Sequence, residues 1–286
     1  RANTLKISSE NLKKQLHNLS IIYKTVDWYK EAFVLVSPSK KEFIETDLYK
    51  NGMVYVQSLS SMIPPLVLDS RPNEKVCDLT AAPGSKTTQI AMMMENAGEI
   101  VANDKSRVRL YKLIANLKMQ GVANAKVTSL PGQILWRNYP EYFDKTLVDV
   151  PCSMEGRFCT LDEKSYSDWS LKKVKELVSM QRFLLRAGVS ATKVGGLIVY
   201  STCTLAPEEN EGVVNWILEK EKGAVRVEET NVGLPSVQSG ITGWNGKSFD
   251  PSLKYALRVL PSVTMEGFFV ALLRKTKPTV LPLDMG

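Results

Sequence analysis

Two cysteines lie in short polar segments that directly follow apolar runs of the chain. Cys152 ends the segment 149–152, Asp-Val-Pro-Cys, and Cys203 lies in the segment 201–204, Ser-Thr-Cys-Thr. A short apolar run bounded by turn residues is typical of a buried strand, so both thiols are expected at strand ends. An ionised cysteine is a strong nucleophile. These two thiols are therefore the first candidates for covalent chemistry.

Histidine-dependent chemistry would have to use a single residue, because His17 is the only histidine in the sequence. It lies in the polar helical stretch 10–19, where a surface position is expected. A Ser-His-Asp triad, a Cys-His pair and a histidine-rich metal site are therefore disfavoured. The other thiols, Cys77 and Cys159, form no CxxC pair, so we predict no metal site and buried, inert roles for both.

The overall composition is that of a folded protein in a reducing compartment. An apolar fraction of 44% argues against disorder as the main theme, and no stretch resembles a membrane span or a signal peptide. Four free thiols fit the cytoplasm, or an organellar matrix if a leader preceded Arg1. The net charge of +7 permits a polyanionic partner without requiring one.

A turn rich in small residues joins a predicted strand to a predicted helix. The segment 78–87 reads Asp-Leu-Thr-Ala-Ala-Pro-Gly-Ser-Lys-Thr. A phosphate-binding P-loop requires glycine directly before its lysine and again five residues earlier, where Ser85 and Thr80 stand here. The GxGxxG dinucleotide fingerprint is also absent from this turn. The small residues still allow close approach to a ligand, beside the free amide groups of a helix start.

An acidic residue follows the next predicted strand. Asp104 stands 20 residues beyond Gly84, where a carboxylate can accept both hydroxyl groups of a ribose. An adenosine group without a pyrophosphate cradle points to S-adenosylmethionine as the cofactor. The alternative at this stage is a strand-end aspartate that only caps a helix.

The elements that must position these residues alternate between strands and helices from about residue 51. This alternation predicts a mostly parallel sheet with ligands at the carboxyl ends of its strands. Residues 231–253 are predicted to form a long loop. The predicted strands are 76–80, 99–103, 126–129, 146–150, 196–201 and 267–273, and the helices end near 94 or span 107–120 and 169–189.

Residues 1–50 read as a separate small α/β unit. The segment 2–7 is a strand candidate, and Ser8 or Ser9 can cap a helix that carries Leu12, Leu16 and Leu19. This unit has nine Lys+Arg and six Asp+Glu residues, a net charge of +3. RNA contact and simple packing on the main domain are both open for it.

Motifs along nearly the whole chain resemble the RsmB/Nop/Sun family of RNA cytosine-C5 methyltransferases. The paired Asp-x-Pro-Cys and Ser-Thr-Cys motifs, in this order, are its most specific signature. The resemblance implies a Rossmann-like class I S-adenosylmethionine-dependent methyltransferase domain at 51–286, preceded by a small α/β, RRM-like domain at 1–50. The matching segments are Arg1–Lys6, 57–61, 78–87, 149–152, 201–204, 208–211, Arg258, Pro261 and 267–269.

The resemblance also implies a role for each catalytic candidate. Cys203 is the nucleophile that adds to the cytosine ring, and Cys152 assists product release. Asp149 contacts the N3 edge of the base. Lys86 contacts the base or the cofactor. The partner is an RNA, ribosomal or transfer, whose cytosine is unpaired or flipped out.

The cofactor residues implied by the family form two groups. Asp104 holds the ribose, and Arg109 in the following helix is structural or lies on the cofactor side. Asp149 borders the cofactor as well as the base. The turn that cradles the methionine portion consists of Thr80, Ala81, Ala82, Pro83, Gly84, Ser85 and Lys86.

Three positions depart from the family pattern. Thr80 replaces a cysteine, Ser85 replaces a glycine, and Pro131 falls where an aspartate often contacts the adenine. Proline offers neither a side-chain acceptor nor a backbone N–H. We therefore expect weaker cofactor binding or adenine recognition by the backbone alone.

Two other functions stay open on the sequence. A fold that binds RNA or assists ribosome assembly without turnover is favoured by Pro131 and opposed by the intact Asp149, Cys152 and Cys203. A methyltransferase acting on an amino group would need no thiol. For RNA contact, the loop 153–170 is favoured over the basic run on 105–118, which reads as a solvated helix face.

Overall fold

The computed structural model describes residues 1–230, 232–234 and 237–279. Within these ranges no helix is both long and apolar enough to cross a lipid bilayer. The described chain forms a small N-terminal unit and a large α/β sheet domain. The predicted division at residue 50 stays a prediction, and its last residues, 280–286, lie outside the described ranges.

The N-terminal unit has its own apolar core. Leu12 and Leu16 of its first helix pack with Ile21, Phe43 and Leu48, whereas Leu19, the residue that follows the helix, is exposed. Ser8 caps this helix by accepting the backbone N–H of Asn11, as predicted. The elements are α1 (Ser9–Asn18), β1 (Ile22–Thr25), β2 (Phe33–Ser37), α2 (Lys40–Phe43) and α3 (Asp47–Lys50), with β1 and β2 antiparallel.

The predicted strand at 2–7 is wrong. Only Ala2 makes a β-bridge, to Val54, and the chain then turns. The Asn3 side-chain oxygen accepts the N–H of Leu5, and the Asn3 carbonyl accepts the N–H groups of Lys6 and Ile7. A local turn of this kind, anchored by an asparagine side chain, competes directly with strand pairing.

The large sheet has a parallel half and an antiparallel half. Its strand order is β5-β4-β3-β6-β7-β13-β12-β9, and β8 also pairs with β13. The pairs among β5, β4, β3, β6 and β7 are parallel, so the carboxyl ends of these strands meet at one edge. The strands are β3 (Lys75–Asp78), β4 (Glu99–Asn103), β5 (Ala125–Thr128), β6 (Phe143–Asp149), β7 (Thr192–Thr202), β8 (Val225–Glu228), β9 (Val237–Ser239), β10 (Gly243–Trp244), β11 (Lys247–Ser248), β12 (Leu257–Val259) and β13 (Phe268–Lys275).

Helices cover both faces of this sheet. Alternate strand residues enter two different cores, so Val76 faces one cluster while Cys77 and Leu79 face the other. The complete burial of Cys77 confirms its predicted role as core filler. The helices are α4 (Ile63–Leu68), α5 (Ser85–Met93), α6 (Arg107–Gln120), α7 (Leu171–Ala191) and α8 (Glu211–Lys220).

Two further predictions about elements and burial are wrong. The segment 231–253 contains β9 and the hairpin of β10 and β11, whose turn is Asn245-Gly246. Asn-Gly is the strongest short hairpin signal, so this hairpin was detectable. Cys159 is exposed rather than buried, because it lies in the loop 151–170 outside the sheet core.

Candidate active site

A cleft of about 340 Å³ opens at the carboxyl edge of the parallel strands. The turn after β3 forms one wall, and the ends of β6 and β7 form another. The cleft brings together most of the predicted site residues. Its lining includes Thr80, Ala81, Ala82, Pro83, Ser85, Lys86, Arg109, Asp149 and Cys203, together with Ser61, Asp78 and Arg157.

The turn is shaped by a close approach between two helices. Gly84 has φ of +105°, and a Cβ there would lie 2.9 Å from Cδ1 of Leu113 on α6. The first turn of α5 has no side-chain cap. Its amide groups therefore remain available for an anionic ligand group.

Asp104 lies at the end of β4 and is almost fully buried. It accepts the backbone N–H groups of Ala82 at 3.2 Å and Ser106 at 2.9 Å. Arg109 Nη1 lies 3.1 Å from Asp104 Oδ2, and its Nη2 donates to the carbonyl of Ala82. Arg109 therefore ties the carboxylate to the turn. Ser106, not Asp104, is the N-cap of α6, which removes the simple capping alternative.

A narrow space of about 30 Å³ adjoins Asp104 on the side expected for adenosine. Pro131 lies at the surface, and its neighbour Leu130 is held by Asn103 through two hydrogen bonds. Gln133 lines the narrow space and brings an amide donor and acceptor to it. Gln133 was not predicted from the sequence, because it lies two residues beyond Pro131, the position at which the family often has an aspartate.

The two predicted catalytic thiols are neighbours. Cys152 Sγ and Cys203 Sγ lie 3.2 Å apart. This proximity follows from the parallel pairing of β6 with β7, in which Asp149 is level with Ser201. Cys152 follows three residues after Asp149 and Cys203 two residues after Ser201, so both thiols lie just beyond the same edge of the sheet.

The two thiols differ in how readily they lose a proton. The pKa of Cys203 is lowered, first by the hydrogen bond from Cys152 and then by the charges of Arg157 and Lys86, against the opposing effects of burial and Asp149. The pKa of Cys152 is raised, first by the same hydrogen bond and then by burial. Cys203 is therefore the thiol that ionises first.

Lys86 and Asp149 form an ion pair beside Cys203. Lys86 Nζ lies 2.7 Å from Asp149 Oδ2 and donates to Ser61 Oγ at 3.0 Å. Asp149 Oδ1 accepts the Ser201 hydroxyl at 2.7 Å. Both carboxylate oxygens are thus oriented. Ser61 was not predicted, because its contact joins segments 25 residues apart.

A buried polar network ties the two cysteine loops together. Glu209 accepts the backbone N–H of Ser153 at 3.1 Å and the amide of Gln181 at 2.7 Å. The hydroxyls of Ser153 and Thr204 are 2.7 Å apart. Burial raises the pKa of Glu209. The acidic motif after Cys203 therefore supports the loops rather than the chemistry.

The sheet topology, the turn before α5 and the acid after β4 define a Rossmann-like methyltransferase that uses S-adenosylmethionine. No group of three His, Cys, Asp or Glu side chains suited to a metal occurs in the described part of the chain. The sequence model of the 16S rRNA methyltransferase RsmB/F family matches residues 65–274. The chain belongs to this family, which confirms the resemblance read from its motifs.

Two curated relatives show the range of names within this similarity. A tRNA (cytosine(49)-C(5))-methyltransferase of Pyrococcus abyssi is 37% identical over 97% of this chain and 88% of the relative. A ribosomal RNA small subunit methyltransferase F of Shewanella amazonensis is 36% identical over 96% of this chain. The chain spans only 57% of that second relative. Both names are those of RNA methyltransferases, and the name of the Pyrococcus abyssi relative specifies carbon 5 of cytosine, as in the predicted class, an RNA (cytosine-5-)-methyltransferase.

Two solved structures share the fold over nearly the whole chain. A methyltransferase homologue from Pyrococcus horikoshii has a TM-score of 0.84 at 36% identity, covering 96% of this chain and 85% of its own. NSun6 from the same organism, solved with the S-adenosylmethionine analogue SFG, has a TM-score of 0.80 at 27% identity, covering 97% and 90%. The predicted fold class and cofactor are confirmed.

Proposed function

We propose that this chain transfers a methyl group from S-adenosylmethionine to carbon 5 of a cytosine in ribosomal or transfer RNA, through a covalent adduct with Cys203. The observation that carries this proposal is the thiol pair, with Sγ atoms 3.2 Å apart, in the cleft that also holds the Lys86–Asp149 ion pair. The cofactor supplies an electrophilic methyl group.

The bond changes can be followed one by one. The Cys203 thiolate adds to carbon 6 of the cytosine while N3 takes up a proton or a hydrogen bond, which turns carbon 5 into an enamine carbon. Carbon 5 then takes the methyl group, with S-adenosylhomocysteine as the leaving group. A base then removes the proton from carbon 5, and the bond between carbon 6 and sulfur breaks to release 5-methylcytosine and the thiolate. Cys152 is proposed to assist removal of this proton and departure of the thiolate, because its thiol lies beside the departing sulfur.

Asp149 is the proposed contact to the N3 edge of the base. Its two oxygens are occupied by Ser201 and Lys86, so one of these contacts must be exchanged when the base enters. Lys86 remains close enough to offset negative charge that develops on the ring. The proposed RNA contact is an unpaired or flipped cytosine, because a cleft of about 340 Å³ admits a base but no duplex.

The test compares methyl transfer by wild type and three cysteine variants. Purified protein is incubated with labelled S-adenosylmethionine and either bulk ribosomal RNA or bulk transfer RNA, followed by nucleoside analysis. Wild type is expected to label 5-methylcytosine in one of the two RNA pools. Cys203→Ala should abolish transfer, and Cys152→Ala should accumulate a protein–RNA adduct stable to denaturation. Cys159→Ala is the matched control, because this thiol is exposed in the same loop and should leave transfer unchanged.

Three outcomes contradict the proposal in different ways. Transfer that survives Cys203→Ala excludes the covalent route. Label in an amino group rather than at carbon 5 indicates the other methyltransferase class. RNA binding without transfer from either pool identifies an assembly factor that keeps the fold.

A further inference from the structure

One basic side chain in the cleft was not among the predicted catalytic or cofactor-binding residues. Arg157 ends a short 3₁₀ turn, Glu155–Arg157, that directly follows Cys152. It lines the same cleft as Cys203, Lys86 and Asp149. Its position therefore indicates a function near the sulfur of Cys203.

The backbone beside Arg157 is fixed to the nucleophile loop. Gly156 donates its N–H to the Cys203 carbonyl at 3.0 Å, and Gly267 donates to the Gly156 carbonyl at 2.8 Å. A Cβ at Gly156 would lie 2.0 Å from the Gly267 oxygen. There is no room for a side chain at this contact, so the segment that leads into β13 packs directly against the turn that carries Arg157.

The side chain of Arg157 is held by one carboxylate only. Its Nε lies 3.0 Å from Glu266 Oε2, and Glu266 directly precedes Gly267. Among the residues that the structure describes, Nη1 and Nη2 of Arg157 have no hydrogen-bonding partner. The charged end of the guanidinium is thus anchored yet available to the cleft.

The four groups that act on the ionisation of Cys203 come from three parts of the chain. Cys152 follows β6, Asp149 ends β6, Lys86 lies on α5, and Arg157 lies on the 3₁₀ turn. Lys86 and Asp149 offset each other at 2.7 Å. Arg157 also acts more strongly than Lys86 in lowering the pKa of Cys203.

We propose that Arg157, anchored by Glu266, stabilises the thiolate of Cys203 before substrate arrives. This role of Arg157 rests on the proposed function, because methyl transfer is the reaction that would use the Cys203 thiolate. The ionisation of the thiol is a property of the free protein, so the two proposals fail separately.

The test measures how fast Cys203 is alkylated by iodoacetamide at different pH values, without RNA or cofactor, by mass spectrometry of the peptide that contains it. Removal of a positive charge from the cleft that holds a thiolate disfavours ionisation. For Arg157→Gln we expect the midpoint of the profile to rise by about one pH unit, which lowers the rate near neutrality by roughly tenfold. Arg157→Lys should restore most of the rate.

Arg226→Gln is the matched control. Arg226 forms the same kind of pair, from Nε to a glutamate oxygen at 2.9 Å, on β8. Its loss should leave the profile of Cys203 unchanged. An unchanged midpoint in Arg157→Gln, an equal rise in the control, or failure of Arg157→Lys to restore the rate overturns the proposal. Weaker RNA binding in Arg157→Gln with an unchanged midpoint also overturns it and makes Arg157 an RNA contact.

A measurement on the wild-type protein keeps the proposal testable even when Arg157→Gln does not fold. The Debye length falls to about 3 Å at 1 M salt, so salt weakens the attraction between the half-exposed Arg157 and the thiolate. The wild-type midpoint should rise with salt, and the profile of Arg157→Gln should rise by less. A wild-type midpoint that does not respond to salt contradicts the proposal.

Discussion

At the scale of single residues, the site depends on acids and thiols whose surroundings push them in different directions. Burial raises the pKa of Asp78 to about 7, opposed by the hydrogen bond from Thr87, while Cys203 has a lowered pKa. Asp78 ends β3 directly below the turn that leads to Lys86. The raised pKa of this acid and the lowered pKa of the thiol above it are both products of position rather than of residue type.

Asp78 gives a stability prediction with a definite sign. A carboxyl whose pKa is raised on folding binds more protons in the folded state, so the stability of the fold decreases as pH rises from about 4 to about 7. The loss amounts to at most about 4 kcal/mol, from about 1.4 kcal/mol per pKa unit. Asp78→Asn should remove this slope in urea unfolding measured between these pH values. A wild-type slope that Asp78→Asn leaves intact would assign it to other groups.

Asp104 and Gln133 give a prediction for cofactor affinity. Asp104→Asn should weaken binding of S-adenosylmethionine by at least about tenfold, because a charged acceptor for two hydroxyls is lost. Gln133→Ala should also weaken it, by a smaller factor, if its amide contacts the adenine in place of the aspartate missing at Pro131. Isothermal titration of both variants, with Asp162→Asn in the exposed loop as control, checks this. Equal affinity of wild type and Gln133→Ala would leave adenine recognition to the backbone.

At the scale of elements, the parts with a local signal were predicted well. β4 (Glu99–Asn103) and α6 (Arg107–Gln120) have the predicted bounds, because Ser106 caps the helix and Gly121, at φ +73°, ends it. The strand at 2–7 failed because Asn3 turns the chain with its own side chain. Ser61 and Arg157 lie in segments that the sequence analysis singled out, but their own contacts could not be predicted, since they arise only when distant segments meet.

The contact between Gly156 and Gly267 gives a prediction for the element that carries Arg157. Gly156→Ala forces the turn away from β13, because the new Cβ meets a backbone oxygen at 2.0 Å. We expect a loss of about 1–3 kcal/mol in stability and a larger loss of methyl transfer. Gly212→Ala is the control, because Gly212 lies in α8, where alanine favours the helix. A Cβ at Gly212 would lie 3.1 Å from the backbone oxygen of Pro207, a much milder contact than the 2.0 Å at Gly156. Full transfer by Gly156→Ala would show that the position of the turn is unimportant.

At the scale of the whole molecule, part of the net charge of +7 can be assigned to particular elements. The lysines and arginines predicted as a solvated face on α6 are exposed, and the N-terminal unit adds a net +3. RNA affinity should fall by more than about tenfold between about 50 and 200 mM salt through counterion release. Affinity for S-adenosylmethionine should change far less over the same range. Fluorescence anisotropy and calorimetry on the same protein separate the two, and equal salt responses would contradict an electrostatic RNA surface.

The antiparallel strand β13 lies between β7 and β12, although it is the last described strand in the chain. A ribosome that has made residues up to 255 has already supplied Lys86, Asp149, Cys152 and Cys203, yet neither Glu266 nor Gly267 exists. β7 then has an open edge, and the turn at Gly156 has nothing to press against it. The anchor that holds Arg157 at the cleft is therefore completed late in synthesis, after the residues of the thiol pair and of the ion pair have already been made.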